Sequence, residues 1–321
     1  MHSMSAGHHH ASDLTKWAWL SIATALVTMG MKYGAYALTG SVGLLSDAIE
    51  TLVNLVAAIV ALVALRLAAR PADDKHPFGH GKAEYMSAGA EGVMIVVAAV
   101  LIAITAIERL INPEPIDSVG IGLLVTGLAT VLNLVVGMLI VRAGKRERSI
   151  TLVADGKHLL TDVWTSVGVI VGVALVAVTH WAPLDSIVAL AVAINILQVG
   201  YGLVRHAFDG LLDRALPDED RHVVQRILEA VAAEHPDGMV AFHDLQTREA
   251  GRMRFIRMHV LVPGSWTVAQ GHELVEDLET RIATALPGAI VDTHLEPIED
   301  PRAYEHGRPA GIRDVTDPHA H

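Results

Sequence analysis

The stretch that decides the fold is Ala154-Asp155-Gly156-Lys157-His158-Leu159-Leu160-Thr161-Asp162, which opens an otherwise apolar run to about Val178. On a helix, Asp155, His158 and Asp162 fall within an arc of roughly 60°. Ionisable groups at membrane depth are expensive, so they usually face a polar cavity or a partner. The stretch therefore predicts a membrane helix with one polar stripe.

A second stretch, Ser46-Asp47-Ala48-Ile49-Glu50-Thr51-Leu52-Val53-Asn54, repeats the same offsets with Asp47, Glu50 and Asn54. If the two stripes face each other, they form a four-ligand cation site inside the membrane. We expect its ligands to be Glu50, Asn54, His158 and Asp162, with Asp47 and Asp155 beside them or at the entrance. The alternative is that each polar group satisfies a hydrogen bond between helices.

Composition supports a membrane protein and restricts the metal chemistry. Apolar residues make up 52% of the 321-residue chain, the mean hydropathy is +0.41, and the apolar residues cluster in the first two thirds. With no cysteine, any metal must be held by His, Asp, Glu, Asn or backbone oxygen, a set that suits zinc, ferrous iron or manganese. The net charge of -11 lies mostly beyond residue 208, which argues against a nucleic-acid surface. No cleaved signal peptide is expected.

Six apolar stretches can each reach the ~20 residues that cross a bilayer. They lie at about 15–38, 43–65, 85–111, 119–141, 151–178 and 184–206. Lys and Arg concentrate in the connections between stretches two and three and between four and five, which places both termini in the cytoplasm. We therefore predict a six-transmembrane-helix bundle at 14–208, after a disordered tail at 1–13.

The composition changes after Arg205, where amphipathic patterns replace apolar runs. A helix beginning near Pro217, strands at 242–247 and 255–262 joined by a turn at 249–252, a helix at 267–286 and a strand at 290–295 give the order αββαβ. The sequence predicts a cytoplasmic α+β domain at 209–300 and a disordered tail at 301–321.

Two further groups of side chains have metal-ligand chemistry. The loop from Pro71 to Lys82 carries Asp73, His76 and His80, for which a solvated loop is the alternative. In the α+β domain, the candidates are His243, His259, His272, His294 and Glu296, for which scattered surface histidines are the alternative. Lys32 and Glu91 are lone charges among apolar residues; each is expected to pair inside the bundle or to reach an interface.

The chain resembles the cation diffusion facilitator family, and within it the bacterial iron and zinc efflux members. The resemblance covers roughly residues 15 to 300 and rests on four segments. These are Pro71-Ala72-Asp73-Asp74 with His76, Phe78-Gly79-His80-Gly81-Lys82-Ala83-Glu84, His158 with Asp162, and Leu211-Leu212-Asp213-Arg214-Ala215-Leu216-Pro217. His243-Asp244-Leu245, Arg254-Phe255-Ile256 and the His259 strand are also similar.

The resemblance implies a homodimer with a metallochaperone-like cytoplasmic domain. It implies the same transport ligands, the same loop and cytoplasmic metal sites, and a salt bridge between Lys82 and Asp213. The sequence departs from the family at two positions, because Glu50 and Asn54 stand where the family usually has Asp or His and then Asp. Compared with the usual Asp, Asn54 removes one negative charge and one titratable group from the site.

We expect a bacterial inner-membrane transporter that exports a divalent transition metal, zinc or ferrous iron above all, in exchange for protons. The cation is both substrate and regulatory ligand, and no organic cofactor or enzymatic activity is expected. No GxxxxGK[ST] motif is present, which argues against ATP as the driving force. The alternatives are a membrane-bound metal sensor without transport and an intramembrane metal-dependent hydrolase, although no HExxH motif is present.

Overall fold

The computed structural model of this protein describes residues 14–39, 42–112, 120–179, 181, 183–235 and 238–304. The predicted tail at 1–13 and the end of the chain from residue 305 lie outside the described residues. The chain divides into two compact units, with the boundary between Asp209 and Gly210.

Six long helices form the first unit. They are α1 (Thr15–Thr39), α2 (Val42–Ala68), α3 (Ala83–Ile111), α4 (Gly120–Arg146), α5 (Ile150–Thr179) and α6 (Pro183–Leu211). Each matches one predicted apolar stretch and has between 25 and 30 residues, about 37–45 Å at 1.5 Å per residue. Within the described residues, Ala83–Ile111, Leu124–Arg146 and Ser186–Leu211 are long and apolar enough to cross a membrane by length and composition alone.

Helix α5 has a central place in this unit, because it packs against α1, α2, α3 and α4. Its closest approach is to α4, where two glycines remove the side chains that would hold the helices apart. A Cβ on Gly156 would lie 2.8 Å from the Val141 backbone nitrogen, and one on Gly144 would lie 2.7 Å from that of Val153. This tight crossing fixes the rotation of α5 and thus the direction of its polar stripe.

The second unit is a three-stranded sheet with two helices. Its elements are α7 (Asp218–Glu234), β1 (Ala241–Ala250), β2 (Met253–Val262), α8 (Val268–Ala285) and β3 (Ala289–Pro297). Strand β2 lies in the middle, antiparallel to β1 and parallel to β3. The apolar faces of both helices and the sheet share one core, which includes Leu228, Phe242, Ile256, Met258 and Leu278. The predicted order αββαβ and the fold class, a helical membrane domain with an α+β domain, are confirmed.

Three local features differ from the sequence expectation. Strands β1 and β2 are longer than predicted, so that Gly251 and Arg252 alone turn the chain, with Gly251 at a φ of 62°. The β1–β2 register shifts between His243 and Gln246, which is a bulge that strict alternation does not predict. Residues 301–304, at the start of the expected disordered tail, form a turn of 3₁₀ helix with Ala303 buried.

Candidate metal transport site

Side chains from the two polar stripes meet inside the first unit. His158 Nε2 on α5 lies 2.7 Å from Asn54 Oδ1 on α2, and Asn54 Nδ2 donates a hydrogen bond to Asp162 Oδ2. Asn54 and His158 are both buried. The structure therefore brings three of the four predicted transport ligands together, whereas their binding of a metal stays a prediction. We call Asn54, His158 and Asp162 the transport cluster.

The hydrogen bonds of Asn54 fix the protonation of the imidazole. An amide oxygen can only accept, so His158 Nε2 must carry the hydrogen that it shares with Asn54 Oδ1. In the neutral ring, Nδ1 then holds the lone pair. His158 Nδ1 is buried and has no hydrogen-bond partner in the described part of the chain. The ring thus turns Nε2, and not Nδ1, toward Asn54 and Asp162, so a cation held by all three side chains would take the place of the hydrogen on Nε2.

The other predicted members of this site have different positions. Asp47 and Glu50 fall in the part of α2 whose side chains lie outside the described residues. Asp155 is buried on α5, one helical turn before His158, and accepts a hydrogen bond of 2.9 Å from Ser21 Oγ on α1. The roles of all three as ligands or entrance groups stay predictions.

The loop between α2 and α3 forms a compact cluster of possible ligands. Asp73 lies 3.1 Å from His76 Nδ1 and 3.4 Å from His80 Nε2, and the two rings are 4.4 Å apart. Asp73 Oδ1 also accepts the backbone N–H groups of Lys75 and His76. The backbone hydrogen bond from His76 is the largest cause that lowers the pKa of Asp73. The carboxylate therefore stays ionised at neutral pH and available to a cation.

The predicted cytoplasmic ligands gather around one carboxylate on the sheet. Glu296 Oε2 lies 3.0 Å from His243 Nε2 and 3.2 Å from His259 Nδ1, and Glu296 Oε1 lies 3.5 Å from His294 Nε2. Cross-strand pairing explains this, because His259 is the register partner of both His243 and His294. Burial lowers the pKa of His259, which favours the neutral ring that a metal requires. We call these four residues the sheet cluster.

Two residues near the sheet cluster differ from the expectation. Asp244 lies with Oδ2 3.7 Å from His259 Nε2, although alternation would place it on the opposite face from its neighbour His243. The bulge and the positive φ of Asp244, 50°, cause this. The only signal for it in the sequence is that Asp244 directly follows His243. The structure does not place His272 in the cluster, because its ring is exposed on α8 with Nε2 3.8 Å from Glu276.

The predicted partners Lys82 and Asp213 belong to different units. Lys82 precedes the first turn of α3. Asp213 Oδ1 lies 3.2 Å from Arg248 Nη1 within the second unit. Their salt bridge stays a prediction.

Comparisons with known proteins agree with this architecture. Residues 18–212 match the cation efflux transmembrane domain, and residues 216–298 match the cation efflux protein cytoplasmic domain, the ZT dimer family. The chain is 53% identical over 290 residues to the transporter sll1263 of Synechocystis sp., with 90% of this chain and 92% of the relative covered. It is 32% identical over 304 residues to the cation-efflux pump FieF of Cronobacter sakazakii, with 94% and 98% covered.

A solved structure is similar to part of the chain. The metal-bound C-terminal domain of the CzcD transporter from Thermotoga maritima is 23% identical, with 26% of this chain and 98% of that chain covered and a TM-score of 0.23. The two family matches together span both units. The chain therefore belongs to the cation efflux, or cation diffusion facilitator, family: it is a multi-pass membrane transporter of cations with a cytoplasmic domain, and not an enzyme.

Proposed function

We propose that this protein exports a divalent transition metal from the bacterial cytoplasm across the inner membrane in exchange for protons. Zinc or ferrous iron is the proposed cargo. Both termini lie in the cytoplasm, and two chains form a homodimer, which the match to the ZT dimer family supports.

The observation that carries this proposal is the contact of α2 with α5 through the transport cluster. Asn54, His158 and Asp162 link the two helices through side-chain hydrogen bonds, with His158 Nε2 turned toward Asn54. Imidazole and carboxylate ligands suit borderline divalent cations. With Glu50 and Asp162 ionised and His158 neutral, two negative charges balance one dication.

Proton exchange follows from the same ligands. A metal binds only to deprotonated groups, so its entry from the cytoplasm displaces protons from His158 or a carboxylate. Protons that enter from outside then compete with the metal and release it. The cation shifts the equilibrium between inward-open and outward-open states only by its different affinity for them.

The sheet cluster is the proposed regulatory site. Glu296 lies among three imidazoles from three strands, so a cation there would hold the strands of this sheet together. A metal that binds one arrangement of two paired cytoplasmic domains more tightly than another shifts the population toward it.

Flux measurements test the transport function. The full chain, reconstituted in proteoliposomes with a pH gradient, should move zinc or ferrous iron faster than manganese or cobalt, and the proton gradient should fall as metal moves. Asp162→Ala should abolish this flux, whereas Glu108→Ala, an exposed acid on α3, should not. Metal binding without flux in the wild type would instead identify a membrane-bound sensor.

A further inference from the structure

A second pair of acids lies inside the membrane unit, apart from the transport cluster. Glu91 on α3 is fully buried, and Asp155 on α5 is 1% exposed. The two helices pack against each other, and Ala88 and Ile95, on either side of Glu91, share one buried core with Ala154, next to Asp155. We call Glu91 and Asp155 the acid pair.

In each acid, one carboxyl oxygen accepts a hydrogen bond and the other has no hydrogen-bond partner among the described residues; we call the second one the orphan oxygen. Ser87 Oγ donates to Glu91 Oε1 at 3.3 Å, and Ser21 Oγ donates to Asp155 Oδ1 at 2.9 Å. Glu91 Oε2 and Asp155 Oδ2 are buried without a hydrogen-bond partner among the described residues. A buried polar atom without a partner costs about 1–3 kcal/mol, and more when it is charged. The two orphan oxygens are thus an observation, independent of the acidic composition, that points to a positively charged ligand.

The position of the acid pair fits the path of a cation. Asp155 lies three residues before His158 on α5, about 4.5 Å along the axis toward the start of the helix. Nearer the starts of α3 and α5, Ser149 Oγ donates to the buried Glu84. By the positive-inside pattern of the flanking connections, these helix starts face the cytoplasm. Polar groups on α3 and α5 therefore lie between the cytoplasmic ends of these helices and the level of His158 on α5.

We propose that Glu91 and Asp155 form a second intramembrane binding site for a divalent cation, between the cytoplasm and the transport cluster. Two carboxylates balance a dication, and the hydroxyl oxygens of Ser21 and Ser87 complete a ligand set drawn from three helices. A set of oxygens alone binds borderline cations less tightly than one with imidazole. Weak binding suits a site that must pass its ion on. The identity of the cargo rests on the proposed function, whereas the existence of the site does not.

Counting bound ions tests this site directly. Mn²⁺ is the probe, because oxygen ligands accept it readily, and its free form is measured by electron paramagnetic resonance. Glu91→Gln keeps the shape of the side chain and removes its charge. The full-length dimer carrying Glu91→Gln should bind one Mn²⁺ fewer per chain than the wild type, or bind one of its ions at least tenfold more weakly. Glu108→Gln, the same change at an exposed position of α3, should leave the titration unchanged.

Further variants guard against a Glu91→Gln protein that does not fold, and they separate the acid-pair site from the proposed transport function. Asp155→Asn retains an oxygen that accepts from Ser21 and should lose the same ion. Asp162→Ala should lose a different ion, so that adding Glu91→Gln lowers the count again. Identical titrations for wild type, Glu91→Gln and Asp155→Asn would overturn the proposed site, as would an acid pair that exchanges only a proton. If Glu91→Gln loses one Mn²⁺ but the wild type moves no metal in proteoliposomes, the proposed site stands and the transport proposal is overturned.

Discussion

Replacing Asn54 with Asp tests whether α2 faces the cation with this side chain. Asn54 accepts a hydrogen bond from His158 and donates one to Asp162. An ionised aspartate cannot donate, so Asn54→Asp replaces the second bond by a contact between two carboxylates. Two carboxylates so close together resist ionising at the same time, and until the last proton leaves they share it.

The size of the effect follows from the bond that is lost. A hydrogen bond to a charged group contributes about 1.5–3 kcal/mol, and once the shared proton has left, its loss destabilises the pair before metal binds without a matching loss in the metal-bound site. At pH 8, where the shared proton is most easily displaced, the metal should therefore bind about 10- to 100-fold more tightly. Because one more proton must leave, the plot of log affinity against pH should become steeper by about one.

The assay is a zinc titration of the purified full chain between pH 6 and pH 8, with flux measured in proteoliposomes over the same range. Flux should fall despite the higher affinity, because the third anionic group slows release. Asn133→Asp, which adds a carboxylate at a buried position of α4, is the matched control and should not steepen the pH dependence. Superimposable curves for wild type and Asn54→Asp would refute the reasoning and show that residue 54 does not face the ion.

Three other predictions concern the remaining parts of the molecule. Asp162→Ala should abolish flux, whereas the double variant His76→Ala with His80→Ala should reduce it less, because the loop lies off the path through the helices; both are measured in proteoliposomes. Gly156→Ala should destabilise the membrane unit by about 1–3 kcal/mol, since its new Cβ would press on α4, and thermal unfolding in detergent measures this. Because burial lowers the pKa of His259 below its usual 6.5, the metal-free cytoplasmic unit should lose stability as pH falls from about 6.5 through the lowered pKa. In that window the unfolded chain binds a proton that the folded chain does not, and urea unfolding with a chelator, compared with His259→Gln, measures the slope.

Each of these predictions has a result that counts against it. A complete block by the loop variant would place His76 and His80 on the transport path. Gly202→Ala is the control for Gly156, because its Cβ would meet no described atom within 4 Å; equal destabilisation by both would remove the argument from close helix contact. An unchanged pH slope in His259→Gln would assign the acid sensitivity to another group.

The sequence predicts most of the fold because its signals are periodic. Six apolar runs correspond to α1–α6, and the equal offsets of the two polar stripes correctly predict that α2 and α5 meet at Asn54, His158 and Asp162. Spacing along a helix specifies a face, and burial of polar groups leaves few partners for that face.

The missed features depend on contacts that spacing does not contain. Asp244 reaches His259 only through a bulge with positive φ, and His272 leaves the sheet cluster because the helical phase of α8 points it at Glu276. The sequence marks Glu91 as a lone charge, yet the packing of α3 on α5 buries it together with Asp155 on the facing helix. Long-range packing of this kind cannot be read from local periodicity.

The row of imidazoles across the sheet has a consequence for how the cytoplasmic unit assembles. His243, His259 and His294 come from three strands, and β3 reaches the sheet only after the chain has passed through α8. A slip of one residue would turn each imidazole to the opposite face. A cation that needs all three rings would therefore bind only once the last strand is in register. The time at which the visible absorption of bound cobalt appears during refolding would then report when the sheet is complete.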